Sequence, residues 1–169
     1  MDQLRGIEKL IQENSDELTA AIGKDLGQGP MYCEAFELAQ VRNQVEYAQS
    51  QLKEWMATQG KPTPFPINLN IPIHSELTPN PRGVALIITP WNMPLHMVFT
   101  PLICALSAGN VCVLKMSERS VHCTKLFTDL LRSGKYVDQR VVKLVNGGAE
   151  EATELLKQRF DVMMYTGGG

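Results

Sequence analysis

The second half of the chain alternates short apolar runs with longer segments in which apolar residues recur every three or four positions. These runs predict strands at 84–88, 111–114, 141–145 and 161–165. The first run is too short for an independent helix and rich in β-branched residues, so it is expected to be buried on both faces. The segments between them predict helices over 93–108, 120–132 and 149–158, the last with Leu155 and Leu156 facing inward. This alternation predicts a doubly wound parallel sheet with right-handed crossovers.

The first part of the chain has a helical period instead. Apolar residues from Leu4 to Leu26 follow that period, and the polar stretch 14–17 offers a break and a new N-cap, so two short helices are expected. Residues 27–30 (GQGP) predict a turn. A long amphipathic helix is then expected from 31 to about 58, with these apolar residues on or near one face: Phe36, Ala39, Val45, Ala48, Leu52, Trp55 and Met56.

A proline-dense segment separates the two halves. Six of the ten prolines lie between Pro62 and Pro81, which excludes a helix through this segment. Residues 67–71 alternate apolar and polar positions, as a half-exposed strand does, and residues 74–77 offer a hairpin partner. We therefore divide the chain into N-terminal helices (1–59), a proline-rich β-arm (60–82) and a partial Rossmann-like domain (83–169).

Composition narrows the class of protein. The chain has 169 residues, 44% hydrophobic and 20% charged, as in a soluble globular protein. A net charge of -2, with no basic cluster longer than two residues, makes nucleic acid an unexpected partner. No segment offers about 20 consecutive apolar residues, so no transmembrane segment is expected. The first residues lack the apolar core of a signal peptide, and a cytoplasmic location is the default expectation.

Polar residues at the ends of the first two predicted strands are candidates for chemistry. No G-x-G-x-x-G follows the first strand, so the standard dinucleotide fingerprint is absent. Lys115 and Glu118 follow the second strand, where an acidic side chain can accept hydrogen bonds from ribose hydroxyls. The alternative is a solvated Lys-Ser-Glu turn. Asn92 follows the first strand, and its amide can donate to a developing oxyanion, although such a residue is also common in turns and helix caps.

The cysteines receive no chemical role from the sequence. The four of them form no C-x-x-C pair and have no metal-like spacing with the three histidines. Cys104 and Cys112 fall in the apolar helix and strand described above, so both are expected to be buried and inert.

Three motifs in order resemble the aldehyde dehydrogenase superfamily, and the short N-terminal region makes the chain most similar to the class 3 branch for fatty and aromatic aldehydes. They are PWNMP after the first buried strand, AGN at the end of the following helix, and VLKMSE at the end of the second strand. The similarity extends from Leu4 to Gly167 and corresponds to the N-terminal portion of the family's proteins. It implies a truncated aldehyde dehydrogenase fold: N-terminal helices and a β-arm followed by a partial Rossmann-like parallel sheet.

The resemblance also implies an activity, NAD(P)-dependent oxidation of aldehydes to carboxylic acids. It makes Asn92 the donor that holds the aldehyde oxygen during attack by a cysteine thiolate. It assigns NAD or NADP contacts to residues at the strand ends, with Glu118 favouring NAD by repelling a 2′-phosphate. These residues are Ile88, Pro90, Trp91, Lys115, Glu118, Gly147, Gly167, Gly168 and Gly169. The last three match the start of the family's GSTxVG element, with Gly168 where the family usually has serine.

Other elements that the resemblance implies lie outside this chain. The general-base glutamate of an ELGG-type segment and the nucleophilic cysteine of a GQxC-type loop have no counterpart among the 169 residues. The resemblance makes the β-arm a contact between subunits of a homo-oligomer. Two hypotheses follow: a part of an aldehyde-oxidising enzyme that supplies its cofactor half-site, or a non-catalytic remnant that binds nucleotide weakly or associates with full-length subunits. In both, the strand ending at Tyr165 is expected to leave an unpaired edge that favours association.

Overall fold

The computed structural model describes residues 1–67 and 73–168. Its first elements are two helices, α1 (Asp2–Glu13) and α2 (Ser15–Leu26), as predicted. Asn14 lies between them, but its side chain does not cap α2. It donates instead to the Leu10 carbonyl at 2.7 Å and to Tyr136 Oη at 3.0 Å. Gly27 ends α2 with a φ of 69°, a left-handed conformation in which a residue without a Cβ is not strained.

The predicted long helix is interrupted near its start. It consists of α3 (Pro30–Cys33), a π-helical turn (Glu34–Leu38) and α4 (Ala39–Trp55). The stripe facing the core contains Leu38, Val41, Val45, Ala48 and Leu52, and it includes one charged residue, Glu37.

The predicted core face of this helix is wrong at three positions. Phe36, Trp55 and Met56 are 54%, 41% and 65% exposed. Phe36 lies beside the buried stripe, which passes through Glu37 and Leu38 instead. Trp55 and Met56 follow Leu52, the last residue of α4 that is buried.

The β-arm contains a two-stranded antiparallel sheet. β1 (Gln59–Lys61) pairs with β2 (Ser75–Leu77), with Gln59 opposite Leu77 and Lys61 opposite Ser75. The predicted second strand is confirmed, but residues 59–61 are a partner that the sequence did not predict. The other predicted strand, 67–71, lies outside the described residues from position 68 onward.

The second half folds as a four-stranded parallel sheet, as predicted. The strands are β3 (Val84–Ile88), β4 (Val111–Lys115), β5 (Val142–Leu144) and β6 (Val162–Tyr165), in the order β5-β4-β3-β6. All three pairings are parallel, and both Lys115 and Tyr165 lie opposite Ile88. The connecting helices are α5 (His96–Ser107), α6 (Val121–Arg132) and α7 (Ala149–Leu156). The sheet order therefore changes direction at β3, the geometry in which α/β sheets bind ligands.

The core lies between the sheet, α5, α6 and the N-terminal helices. Phe99 of α5 and Phe127 of α6 are fully buried and meet edge to face, with ring centroids 5.0 Å apart. The edge of the sheet formed by β6 is not covered by this core, because all four residues of β6 are exposed. Helix α7 buries none of its residues, so the expectation that Leu155 and Leu156 face inward is wrong: Leu155 is half-buried and Leu156 is 56% exposed.

Within residues 1–67 and 73–168, every helix is too short or too polar to cross a bilayer.

Candidate functional site

The carboxyl ends of the four parallel strands meet at one edge of the sheet. Backbone hydrogen bonds continue the ladder past the strands there: Thr89 N donates to the Lys115 carbonyl, Val145 N to the Leu114 carbonyl and Thr166 N to the Ile88 carbonyl. The loops that follow the strands therefore start side by side. All the candidate site residues that the structure describes lie at this edge. Ile88 and Lys115 end their strands, and the loops carry Pro90, Trp91, Asn92, Glu118, Gly147, Gly167 and Gly168. Gly169 lies outside the described residues.

A cleft of about 370 Å³ opens at this edge, beside α6. Two of the predicted cofactor residues, Glu118 and Gly147, lie on its wall. The opposite wall is one face of α6, which includes Val121, Thr128 and Arg132. The loop after β3, with Trp91 and Asn92, does not line the cleft. The structure thus brings together two of the predicted site residues in one cavity of a size that suits a small ligand.

The α6 wall of the cleft was not predicted from the sequence. Its residues recur at helical spacing directly after Glu118, from Val121 to Arg132, and that polar face was a usable signal. Asn146 also lines the cleft, and its amide donates to Thr128 Oγ1 at 3.1 Å. This bond joins α6 to the loop after β5 across the cleft floor.

The side chains of Lys115 and Glu118 form an ion pair. Lys115 is 5% exposed, and its Nζ donates to Glu118 Oε2 at 3.3 Å, whereas Glu118 remains exposed. The Glu118 backbone N–H and the Lys115 ammonium hold the pKa of the Glu118 carboxyl below its usual value. Glu118 is therefore an anionic acceptor at neutral pH, which suits hydrogen bonds from ribose hydroxyls.

Gly147 has a backbone conformation that excludes other residues. Its φ is 144°, and an added Cβ would lie 2.4 Å from the Glu151 side chain. Glu151 Oε2 in turn accepts a hydrogen bond from Gly148 N at 2.7 Å. The glycine therefore allows the Glu151 carboxylate to cover the first turn of α7 while the backbone lines the cleft.

Asn92 lies on an exposed loop between β3 and α5, beside Trp91, which is 46% exposed. It is not the cap of α5, because the N-cap position of that helix is Leu95. In the described part of the chain its side chain makes no hydrogen bond, so its amide is available to a ligand. The loop is held from another element, since Ser120 Oγ, buried ahead of α6, donates to the Trp91 carbonyl at 3.5 Å.

Carboxylates from the N-terminal helices cap two of the crossover helices, an arrangement that the sequence did not predict. Glu37 Oε2 accepts hydrogen bonds from Leu95 N at 2.8 Å and His96 N at 3.1 Å, at the start of α5. Asp25 accepts from His122 N at 2.9 Å and Cys123 N at 2.8 Å, at the start of α6. Burial raises the pKa of the Glu37 carboxyl, against the two N–H groups that lower it.

Three of the four cysteines are buried, and the fourth contradicts the prediction. Cys112 is buried in β4, where desolvation raises its pKa to about 12, and Cys33 and Cys123 are buried as well. Cys104 is exposed, because the apolar surface of α5 is only partly covered. It nevertheless lies eight residues beyond the start of α5, which is about 12 Å along a helix axis. Its thiol is therefore remote from Asn92.

Within residues 1–67 and 73–168, no group of three or more histidine, cysteine or acidic side chains could hold a metal ion.

Comparisons with known proteins match the whole chain. The aldehyde dehydrogenase family model matches residues 1–169. Aldehyde dehydrogenase family 3 member A2 of Macaca fascicularis is 36% identical over 170 residues, covering 99% of this chain and 33% of the relative. The chain therefore spans about a third of the length of the curated relatives it matches.

Solved structures agree with the fold. Staphylococcus aureus AldH, determined in a substrate-bound state, superposes with a TM-score of 0.90 at 30% identity, covering 96% of this chain and 34% of that one. Succinic semialdehyde dehydrogenase from Streptococcus pyogenes, determined with NADP+, superposes with a TM-score of 0.78 at 17% identity, covering 95% of this chain and 33% of that one. The second similarity shows the fold alone.

Proposed function

Since the chain belongs to the aldehyde dehydrogenase family, we propose that it forms the part of an NAD(P)-dependent aldehyde dehydrogenase that binds the adenosine half of the cofactor and carries the oxyanion donor. The observation that carries the proposal is the cleft in which Glu118 and Gly147 meet, at the carboxyl edge of a parallel sheet. Asn92 follows the neighbouring strand at the same edge, with its amide free to donate to an aldehyde oxygen.

The cleft suits a nucleoside better than a phosphate group. Its wall carries both signs of charge: Lys125 forms an ion pair with Asp129 at 2.7 Å, and Glu118 and Arg132 contribute one further charge each. This balance provides no net attraction for a dianion, whereas the Glu118 carboxylate can accept from a ribose diol. We therefore expect NAD to bind more tightly than NADP, because a 2′-phosphate would approach the Glu118 carboxylate.

Titration of the purified chain with NAD and NADP tests this proposal. Glu118→Gln should weaken NAD binding and reduce the preference over NADP, because the amide loses the charge that repels a phosphate. Lys115→Ala should weaken both cofactors, since it removes the ammonium that orients Glu118. Glu154→Gln is the matched control: Glu154 also pairs with a lysine three residues away, Lys157, but on the exposed surface of α7. Dissociation constants for NAD and NADP that are the same in all four proteins would disprove the proposal.

We also propose that the 169-residue chain alone does not oxidise aldehydes. The reaction needs a thiolate within about 3–3.5 Å of the carbonyl carbon, facing the oxyanion donor. Cys112 and Cys123 are buried with raised pKa values, and Cys104 lies well down α5 from the Asn92 loop. An aldehyde oxidation assay that follows NAD(P)H should show no rate above background. Turnover that Cys104→Ser abolishes would identify Cys104 as the nucleophile and overturn this proposal.

The second candidate function, association with other subunits, is favoured by the exposed strand β6. Within residues 1–67 and 73–168 this strand pairs with β3 alone, and it carries Met163 and Tyr165, which are 62% and 63% exposed. Such an edge provides backbone donors and acceptors for another strand. Oligomerisation through the β-arm, a cytoplasmic location and the division into segments 1–59, 60–82 and 83–169 stay predictions. Sedimentation of the chain over a range of concentrations tests whether it associates at all.

A further inference from the structure

Glu37 is a fully buried carboxylate with no role in the cleft described above. It is 0% exposed, and among residues 1–67 and 73–168 one of its oxygens, Oε1, has no hydrogen-bond partner. Burying a carboxylate in this way is costly, because a charge loses its hydration and one oxygen gains nothing in return. A leucine at this position would continue the apolar stripe of α4 without that cost. Packing alone therefore does not explain why a glutamate occupies position 37.

The position of Glu37 depends on a helix defect. It lies in the π-helical turn Glu34–Leu38, between α3 and α4. Within this turn Glu37 and Leu38 both face inward, while Phe36 faces solvent. Single π-helical turns inside α-helices occur often at functional sites, because the extra residue redirects a side chain. Here the redirected side chain reaches the first turn of α5, 58 residues further along the chain.

Its two hydrogen bonds fix the end of the loop that carries Asn92. Glu37 Oε2 accepts from Leu95 N and His96 N, the residues that end this loop and begin α5. The other end of the loop is fixed to the sheet by Thr89 N, which donates to the Lys115 carbonyl at 3.1 Å. Asn92 itself lies between these two anchors and has no bond of its own in the described residues.

We propose that Glu37 is a positioning residue, which holds the backbone of residues 92–96 so that the Asn92 amide keeps the geometry needed to bind an aldehyde oxygen. That Asn92 binds an aldehyde oxygen rests on the proposed function, whereas the holding of the loop by Glu37 does not. A donor in an oxyanion site must be held within a fraction of an ångström of its productive position. An exposed loop that is anchored only by the sheet and by the 3.5 Å bond from Ser120 Oγ to the Trp91 carbonyl would not provide this, whereas a buried carboxyl group bonded to two successive N–H groups does.

Hydrogen–deuterium exchange of the full 169-residue chain tests the proposal at the loop itself. Glu37→Asp shortens the side chain by one methylene and withdraws the carboxylate from both N–H groups. Glu37→Gln keeps an acceptor oxygen at the same reach. We expect Glu37→Asp to raise the exchange rate of amides in segment 89–97 by about tenfold, the equivalent of one lost hydrogen bond or more, and Glu37→Gln to stay near wild type.

A matched control separates local loosening from general instability. Asn110 is also buried, and its Oδ1 accepts from two successive backbone groups, Arg82 N at 2.8 Å and Gly83 N at 2.9 Å, at the opposite end of β3. Asn110→Ala should raise exchange around 82–84 and leave segment 89–97 unchanged.

Trp91 provides a second measurement of the same loop. In a Trp55→Phe background it is the single tryptophan of the chain. Glu37→Asp should increase quenching of its fluorescence by acrylamide, and Asn110→Ala should not.

The result that would overturn the proposal is equal exchange in segment 89–97 for Glu37→Asp, Glu37→Gln and wild type. If Glu37→Asp loosens the loop but wild type binds neither NAD nor NADP, the positioning role is supported and the proposed function is not.

Discussion

Among the glycines that the structure describes, Gly6, in the middle of α1, has the least room for a side chain. A Cβ built on Gly6 would lie 1.7 Å from the Tyr136 carbonyl oxygen and 2.8 Å from its carbon. The obstacle is backbone, so no side-chain rotation can relieve it. Gly6→Ala therefore requires α1 and the segment after α6 to move apart by more than an ångström.

Two effects of this substitution have opposite signs. Alanine inside a helix is favoured over glycine by about 1 kcal/mol. Overpacking a well-packed contact costs about 1–3 kcal/mol, and a backbone obstacle belongs at the upper end. The displacement also stretches the bonds at Tyr136 Oη, which donates to Glu13 at 2.9 Å and accepts from Asn14 at 3.0 Å, each worth about 1 kcal/mol. We expect a net loss of about 2–4 kcal/mol in the free energy of unfolding.

Urea unfolding followed by far-UV circular dichroism measures this loss. Gly23→Ala is the control, because Gly23 also lies inside a helix but its nearest obstacle, the Gln28 carbonyl oxygen, is 3.3 Å away. The control should stay within about 1 kcal/mol of wild type. A Gly6→Ala chain as stable as wild type would show that the close approach of α1 to Tyr136 is not a feature of the folded protein.

The remaining predictions concern acidity, thiol reactivity and association. Hydrogen bonds from Arg140 lower the pKa of the Asp138 carboxyl from its usual 3.8 to about 2. The stability that this pair contributes is therefore complete above pH 3.8 and is lost as the pH falls through 2. The difference in Tm between wild type and Asp138→Asn should shrink over the same pH range. A thiol reagent should modify Cys104 rapidly, and Cys104→Ser should leave only thiols that react on unfolding. Met163→Lys should reduce concentration-dependent sedimentation, because a charge on an edge strand opposes strand pairing; unchanged sedimentation would refute this.

The sequence predicted the parallel sheet well because each strand is a short apolar run between clear breaks. The strand from 84 to 88 matches the structure at both ends, and the run at 141–145 is shortened to Val142–Leu144. The prediction failed for a helix whose apolar residues do not mark one face as the buried one. Helix α5 is apolar on nearly every side, so its pattern could not show which residues the sheet covers, and Cys104 was assigned to the wrong side.

The sequence predicted those residues of the candidate site that come directly after a strand. Glu118 and Gly147 each come just after a strand, and the rule for parallel sheets put them at one edge, where the cleft lies. Glu37 could not be predicted in the same way. A glutamate in an amphipathic helix normally faces solvent, and only the π-helical turn, which depends on tertiary packing, turns this one inward.

This Rossmann-like sheet lacks the glycine-rich fingerprint, and the starts of its crossover helices are occupied by the protein's own side chains. In that fingerprint the N-terminus of the first crossover helix binds the cofactor's pyrophosphate. Here carboxylates of the chain itself accept the first N–H groups of all three crossover helices: Glu37 at α5, Asp25 at α6 and Glu151 at α7. Each acidic side chain occupies the N–H groups that a phosphate would need at the same place. A dinucleotide that puts its ribose at Glu118 must therefore direct its phosphates elsewhere, and we expect the open backbone after β6 at Gly167 and Gly168 to receive them.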